Sequence, residues 1–329
     1  MTRILLAVIV LLAGVPSLAV EVKHKGDTMS QTPETNPDSL LAEADSVFQE
    51  RKYEEAGEIY ARAVEAARSD FNRPVETEAL AQMARVRLIA GETEAGRGIL
   101  AEAAAKAADD DPMGWSRYLG VKGRFEWKEG NLDEARKTFD QMYVYCNTNA
   151  LWGRSVDAAH MMAIVAEDLD GQIEWSKKGI DIAESAAEEK WLGPLWNNLG
   201  VTYHENKMFT ESLDAFKKAR VYHWQHSGEL GKLYADYHVG MSYLAVGELD
   251  EAATWLRPVL AWAERLGDHS AIGQACEDLG EIAVAKGDRD GGIELLKRAR
   301  DEYKAAGFDQ TWKDIWDGIN KRLDDLGVK

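Results

Sequence analysis

Cysteine and proline are scarce in this chain of 329 residues. Two cysteines exclude a disulfide-stapled scaffold and any four-thiolate zinc or iron–sulfur centre. Seven prolines beside 28 glycines fit many helices separated by short turns, because proline breaks helix interiors and glycine ends them. Basic residues are the minority: 39 Lys and Arg against 57 Asp and Glu leave a formal charge of −18, which excludes nucleic-acid binding that relies on overall charge. The short catalytic signatures are missing as well, with no G-x-S-x-G, no H-E-x-x-H and no phosphate loop. Gly96-Arg97-Gly98-Ile99-Leu100-Ala101 matches the loose dinucleotide fingerprint, yet it falls inside a helical pattern with no strand before it. His223 and His226, at i and i+3, have no third ligand nearby and read as surface histidines rather than a metal pair. No pair of carboxylates stands where sequence alone would place it across a substrate. These absences point away from an enzyme, a metal and a cofactor. A hydrophobic share of 45% is ample for a packed interior.

The N-terminus reads as a targeting segment rather than as fold. Arg3 precedes an apolar run over residues 4–13, followed by Gly14, Val15, Pro16 and the small-x-small pattern Ser17-Leu18-Ala19. Residues 1–19 are therefore expected to be a secretory signal cut after Ala19, leaving an exported periplasmic or extracellular protein with no membrane span. Two alternatives stay open. Residues 4–20 supply 17 mostly apolar positions, the lower limit for an uncleaved anchor, and a start at Met29 would leave a cytoplasmic protein. Residues 20–36 have no apolar period and read as a flexible linker.

The rest of the chain repeats. Aligning on a small residue gives Ala44, Ala84, Gly123, His160, Gly200, Gly240 and Gly280, with steps of 40, 39, 37, 40, 40 and 40. Each unit holds two helical patterns. In the fifth, Trp196, Leu199, Gly200 and Tyr203 share one helical face, and Ser212, Phe216 and Ala219 make the matching face of its partner. Glycine or alanine at the crossing is a packing requirement, since a larger side chain holds two helix axes beyond about 8–10 Å. A helical pair cannot bury its apolar stripe alone, so stacked pairs share one quasi-linear core. Trp312, Ile315, Trp316, Ile319, Leu323 and Leu326 then form one amphipathic stripe stopped by Gly327, read as a closing helix over 310–329, with a two-tryptophan docking face as the rival. Cys146 and Cys276, three repeats apart, are expected to be free thiols.

These residues resemble the tetratricopeptide repeat family over residues 37–309. Gly130-Asn131-Leu132-Asp133-Glu134-Ala135 with Phe139 parallels Gly247-Glu248-Leu249-Asp250-Glu251-Ala252 with Leu256, and Tyr53-Glu54-Glu55-Ala56 with Tyr60 and Ala63 marks the first unit. A period near 40 rather than the usual value of about 34 resembles the longer-helix subgroup that includes kinesin light chain and related peptide-binding adaptors. The fourth unit departs from the pattern, with His160 and Gln172 where small residues are usual. The resemblance implies an all-α, right-handed superhelical α-solenoid of seven helix-turn-helix repeats plus a C-terminal capping helix. It implies a non-catalytic scaffold for a protein or peptide ligand, bound on the concave side lined by the first helix of each pair. Helical spacing on those helices selects Arg85; Arg117, Arg124 and Trp127; Arg154 and Met161; Asn197 and His204; and Tyr234, Tyr237 and Met241. The arginines offer forked donors suited to an acidic segment, and the aromatic and methionine side chains offer adaptable apolar contact. Asn198 resembles the asparagine with which related adaptors hold a peptide backbone, with a structural helix–helix hydrogen bond as the alternative. Two other classes remain: an assembly factor of envelope machinery acting through its convex face, and an enzyme with a site between repeats.

Overall fold

The computed structural model describes residues 36–328, so the expected secretory signal and all but the last residue of the expected linker lie outside the described residues. Among the described residues there are sixteen α-helices and no strand. They run as seven antiparallel pairs: α1 (Pro37–Gln49) with α2 (Tyr53–Ser69), α3 (Arg73–Ile89) with α4 (Thr93–Lys106), α5 (Pro112–Lys128) with α6 (Leu132–Thr148), α7 (Trp152–Val165) with α8 (Leu169–Ser185), α9 (Glu189–Glu205) with α10 (Phe209–His226), α11 (Glu229–Ala245) with α12 (Leu249–Leu266), and α13 (His269–Ala285) with α14 (Arg289–Ala305). A single turn, α15 (Phe308–Thr311), leads into α16 (Lys313–Asp325). The fold is an all-α helical-repeat solenoid. The described residues divide into two compact units between Trp191 and Leu192, inside α9. None of these helices is long and apolar enough to cross a membrane.

Local chemistry sets the helix ends. Asn36, Asn72 and Asp111 each accept a hydrogen bond from a backbone N–H of the turn they cap, at 3.0, 3.3 and 3.1 Å, and each is followed by a proline in the first turn. Six of the seven first helices end on a residue of positive φ at a repeating position: Gly91, Gly130, Gly247 and Gly287 stand at φ 80–89°, and Arg51 and Lys207 take the same place at 64° and 61°, while the fourth ends on extended Ala166. A side chain in that left-handed region costs about 1–2 kcal/mol. Lys207→Gly should therefore raise the free energy of unfolding by about 0.5–1 kcal/mol once the extra freedom of an unfolded glycine is deducted. Urea unfolding checks it, and a lower midpoint would refute it.

The crossing-point expectation holds in atomic detail. A Cβ placed on Gly123 would lie 2.5 Å from Phe139, on Gly200 2.9 Å from Phe216, on Gly240 2.8 Å from Leu256 and on Gly280 2.9 Å from Leu296. In every one of these pairs a glycine on the first helix accommodates a large side chain sixteen residues later on the second. The fourth repeat inverts the arrangement: buried His160 stands on the first helix and buried Ser176 on the second. Its departure from the pattern is thus an exchange of bulk between facing positions, with the summed volume kept. Gly200→Leu should force α9 and α10 apart and cost on the order of 3 kcal/mol by overpacking. A urea midpoint equal to the parent's would contradict the crossing geometry.

Within residues 36–191 the core has two buried clusters, one from Leu40 to Phe125 and one centred on Leu119, Phe139, Met142 and Met162. In the unit that starts at Leu192 a third cluster runs from Val201 to Leu323. Ile315, Ile319 and Leu323 of α16 are buried in it, Trp312 and Trp316 pack against it, and Tyr303 stacks on Phe308 at 4.9 Å. α16 therefore closes the end of this core. Cys146 and Cys276 are free and buried, and burial pushes their thiols up to about 12 and about 11.

Candidate functional site

The largely buried ion pairs of the first four repeats lie on their first helices. The repeat steps put Glu78, Arg117 and Arg154 at one equivalent position, and Asp45, Arg85, Arg124 and Met161 at another. The structure joins these two rows. Asp45 of α1 is buried; its Oδ1 accepts from Tyr60 Oη at 2.5 Å and Gln82 Nε2 at 3.1 Å, and its Oδ2 accepts from Arg117 Nη2 at 2.9 Å. Buried Glu78 of α3 accepts from Arg154 Nη2 and faces Arg117 Nε at 3.4 Å. Arg154 also donates to Met113 O at 2.6 Å and to Ser116 Oγ at 2.9 Å. Arg124 donates to Asp157 Oδ1 at 2.6 Å and to Gly120 O at 3.0 Å. Arg85 lies with its guanidinium carbon 4.9 Å from the centre of the Phe48 ring.

The electrostatics follow from burial and pairing. Burial alone would raise the Asp45 carboxyl; the Arg117 charge and the bonds from Tyr60 and Gln82 outweigh it and hold the group below its ordinary value. For Asp157 burial is likewise overcome by Arg124, leaving the carboxyl at about 2. Burial works against the Arg117 charge, but Asp45 and Glu78 reverse the effect and raise its pKa. Arg85 goes the other way, down to about 9, through burial and then the repulsion of Arg124. The side chains of Arg117, Arg124 and Arg154 keep 10%, 12% and 14% of their exposure, so this is a largely desolvated ionic layer. At this position the arginines expected to face a ligand are already engaged with carboxylates of neighbouring repeats.

The other expected residues divide between core and surface. Met161, Tyr234, Tyr237 and Met241 are buried in the hydrophobic clusters, and burial raises the Tyr234 hydroxyl's pKa. Trp127 is exposed at 38%. Asn197 is buried and accepts through Oδ1 from His238 Nδ1 at 2.8 Å, a bond from α9 to α11, while Asn198 and His204 are half-buried, with the His204 ring edge-on to Phe209 at 5.2 Å. His223 is not a surface histidine: it is buried, with Nδ1 2.7 Å from Ser227 Oγ, and burial lowers it to about 4. Among the described residues no group of three or more His, Cys, Asp or Glu is placed to hold a metal ion. Asp45, Tyr60 and Gln82 were not among the expected site residues; the signal for Asp45 was its place in the same row as Arg85 and Arg124.

A family model described as tetratricopeptide repeat matches residues 193–219, within the fifth repeat. As a sequence the chain matches none of the curated proteins. Among solved structures it is similar to a signal transduction ATPase with a tetratricopeptide repeat sensor from Pyrococcus horikoshii, at TM-score 0.70 and 15% identity, over 88% of this chain and 44% of that one. The chain thus spans under half the length of that relative. It is also similar to the apo form of RapI, at TM-score 0.67 and 10% identity over 82% of this chain and 77% of that one. A Rap protein complexed with competence and sporulation factor matches at TM-score 0.55 and 12% identity, over 88% and 87% of the two chains. The fifth repeat thus matches the tetratricopeptide repeat model, and the chain shares the helical-repeat fold of these solved structures.

Proposed function

We propose that the first-helix face of the first four repeats binds a segment of a protein partner, extended or helical, by equilibrium recognition without catalysis. The observation that carries this reading is the ionic layer itself. Asp45, Glu78, Arg85, Arg117, Arg124, Arg154 and Asp157 all stand on first helices. Desolvating that many charges is expensive, and apolar residues of similar size would hold the helices at least as well. A fixed, partly accessible array of forked donors suits recognition of an acidic or hydrogen-bonding segment. The solved Rap complex shows a structural neighbour holding a factor, which supports the same use here.

A second reading has its own observation. Trp224 of α10, exposed at 42%, lies 6.1 Å from the Trp262 ring of α12, and Val221 is exposed one turn away. An apolar patch on second helices suits an assembly contact away from the first-helix face. One experiment decides between them. A photo-crosslinking residue is placed at Trp127 or at Trp224 in the full chain, in its native cells. A partner captured from position 127 supports the first reading; capture from position 224 alone supports the second.

Export is part of the proposal, on the strength of the apolar run and Ser17-Leu18-Ala19. N-terminal sequencing of the purified protein should find Val20 first. An intact Met1 in membranes would indicate the anchor, and a start at Met29 would remove export.

A further inference from the structure

The second helices of the fifth and sixth repeats carry a pair of tryptophans whose rings are held in place by their neighbours. Trp224 of α10 donates through Nε1 to Asp236 Oδ1 of α11 at 2.8 Å, and Trp262 of α12 donates through Nε1 to Glu229 Oε1 at 2.9 Å. Arg220 donates to the same Asp236 oxygen at 2.5 Å and lies between two rings, 4.9 Å from the centres of Trp224 and of Trp255. The two indoles stand 6.1 Å apart with their planes inclined at 59°. Trp224 is nevertheless exposed, and Trp262 is half-buried. With each N–H taken up, what these rings offer to solvent is apolar face.

The rim of the pair specifies what fits there. Both bonds to Asp236 fall on Oδ1 and the bond to Glu229 on Oε1, so a second oxygen of each carboxylate remains to accept. Lys232 Nζ, 5.8 Å from the Trp224 ring centre, supplies donors at the same edge. A cationic ligand is disfavoured, because Arg220 and Lys232 already stand over the Trp224 ring. A polyanionic ligand is disfavoured by Asp236, Glu229 and a chain charge of −18. An apolar side chain of a protein partner would cover the two carboxylates without answering them, which costs free energy. A pyranose ring meets all of these conditions, since it presents C–H groups on its flat faces and hydroxyls around its edge. The faces stack on indole, and the hydroxyls reach carboxylate and ammonium.

We propose that Trp224 and Trp262 form a binding site for a neutral oligosaccharide, with two sugar rings of one chain laid against the two indoles and their hydroxyls bonded to Asp236, Glu229 and Lys232. The site uses none of the residues of the ionic layer, so this proposal and the protein-segment reading of the first four repeats stand or fall independently. It claims the Trp224 patch for a sugar and is incompatible with the assembly contact of the second reading.

The test uses the full chain with 15N-labelled tryptophan indoles, titrated with maltohexaose, cellohexaose and chitohexaose, and with heparin as the polyanionic control. The Trp224, Trp262 and Trp127 signals are assigned by their loss in Trp224→Phe, Trp262→Phe and Trp127→Phe. At least one neutral hexasaccharide should move the Trp224 and Trp262 signals saturably, with a dissociation constant below about 1 mM, while the exposed Trp127 signal stays still. Binding should weaken about tenfold in Trp224→Ala, which removes one stacking face. It should weaken about threefold or more in Glu229→Gln, which keeps an acceptor for the Trp262 N–H and loses the charged oxygen. Circular dichroism identifies which variants are folded, and the exposed Glu229 position keeps the test open if Trp224→Ala is not. No saturable movement with any of the three sugars, movement of Trp127 equal to that of Trp224, affinity unchanged in a folded Trp224→Ala or Glu229→Gln chain, or heparin bound more tightly than every neutral sugar would each overturn the proposal. So would a protein captured by the crosslinker at position 224, which would return the patch to the assembly reading.

Discussion

Glu78→Ala should lower the free energy of unfolding by about 3 kcal/mol or more, because removing one partner of a buried ion pair leaves the other charge desolvated. Glu78 answers Arg154 and Arg117 together; without it Arg117 keeps Asp45, whereas Arg154 loses its carboxylate, since Asp45 already binds Tyr60, Gln82 and Arg117. Arg154 keeps its bonds to Met113 O and Ser116 Oγ, which limits the loss to the lower end of the range. The pair Glu78→Met with Arg154→Met should recover part of the stability, since apolar side chains of similar length need no desolvation of charge. Urea unfolding of the parent, Glu78→Ala and the double methionine variant checks this through midpoints at constant slope. A Glu78→Ala midpoint within about 0.5 kcal/mol of the parent would mean that water screens the layer and that it contributes no more than exposed ion pairs do.

The same residues show how far the sequence could be read. Period and crossing points were legible because packing imposes them: Gly123 with Phe139 and Gly200 with Phe216 repeat a single steric solution. Even the exception obeys it, as His160 and Ser176 exchange large for small. The ionic layer was half legible. Helical spacing puts Arg117, Arg124 and Arg154 on one face, but spacing within a helix is silent about what the next helix offers. The repeat register supplies that, by setting Glu78 beside Arg117 and Arg154. Tyr234, Tyr237 and Met241 illustrate the opposite case. A stripe that lines a groove and a stripe that packs a core share the same 3.6-residue period, and in this protein all three are buried. His223 read as a surface residue for a related reason, since nothing in its local sequence announces the Ser227 partner that its ring finds within the same turn.

Acid should begin to destabilise the protein between about pH 6.5 and 5, above the ordinary carboxylate values. His238, His223 and His160 are buried, and burial lowers them from 6.5 to about 3, about 4 and about 4. For His238 burial is the largest cause, followed by the charges of His223 and His204; Nδ1–H donates to Asn197 Oδ1, and Nε2 meets no acceptor among the described residues. The folded chain therefore holds these rings neutral, while the unfolded chain protonates them near pH 6.5. Stability contributed by the neutral rings is complete above pH 6.5 and is lost as pH falls toward 4, because below 6.5 the unfolded state binds more protons. At pH 5 the loss is roughly 2 kcal/mol per histidine, or about 4 kcal/mol for the unit that contains His223 and His238 and about 2 kcal/mol for the one that contains His160. Asp111, Glu188 and Glu205 are raised by burial and oppose this, since each takes up a proton more readily in the folded state. Asp45 and Asp157 are lowered below their ordinary 3.8, and what they contribute is lost only at still lower pH. Urea midpoints at pH 7.5, 6.0 and 5.0 should fall steeply between the last two. His238→Gln, which keeps a donor toward Asn197 and cannot become charged, should be less stable at neutral pH and flatter in its pH response. A midpoint independent of pH over this range would show that the rings accept protons in the folded state after all, and that the interior around His238 admits a charge.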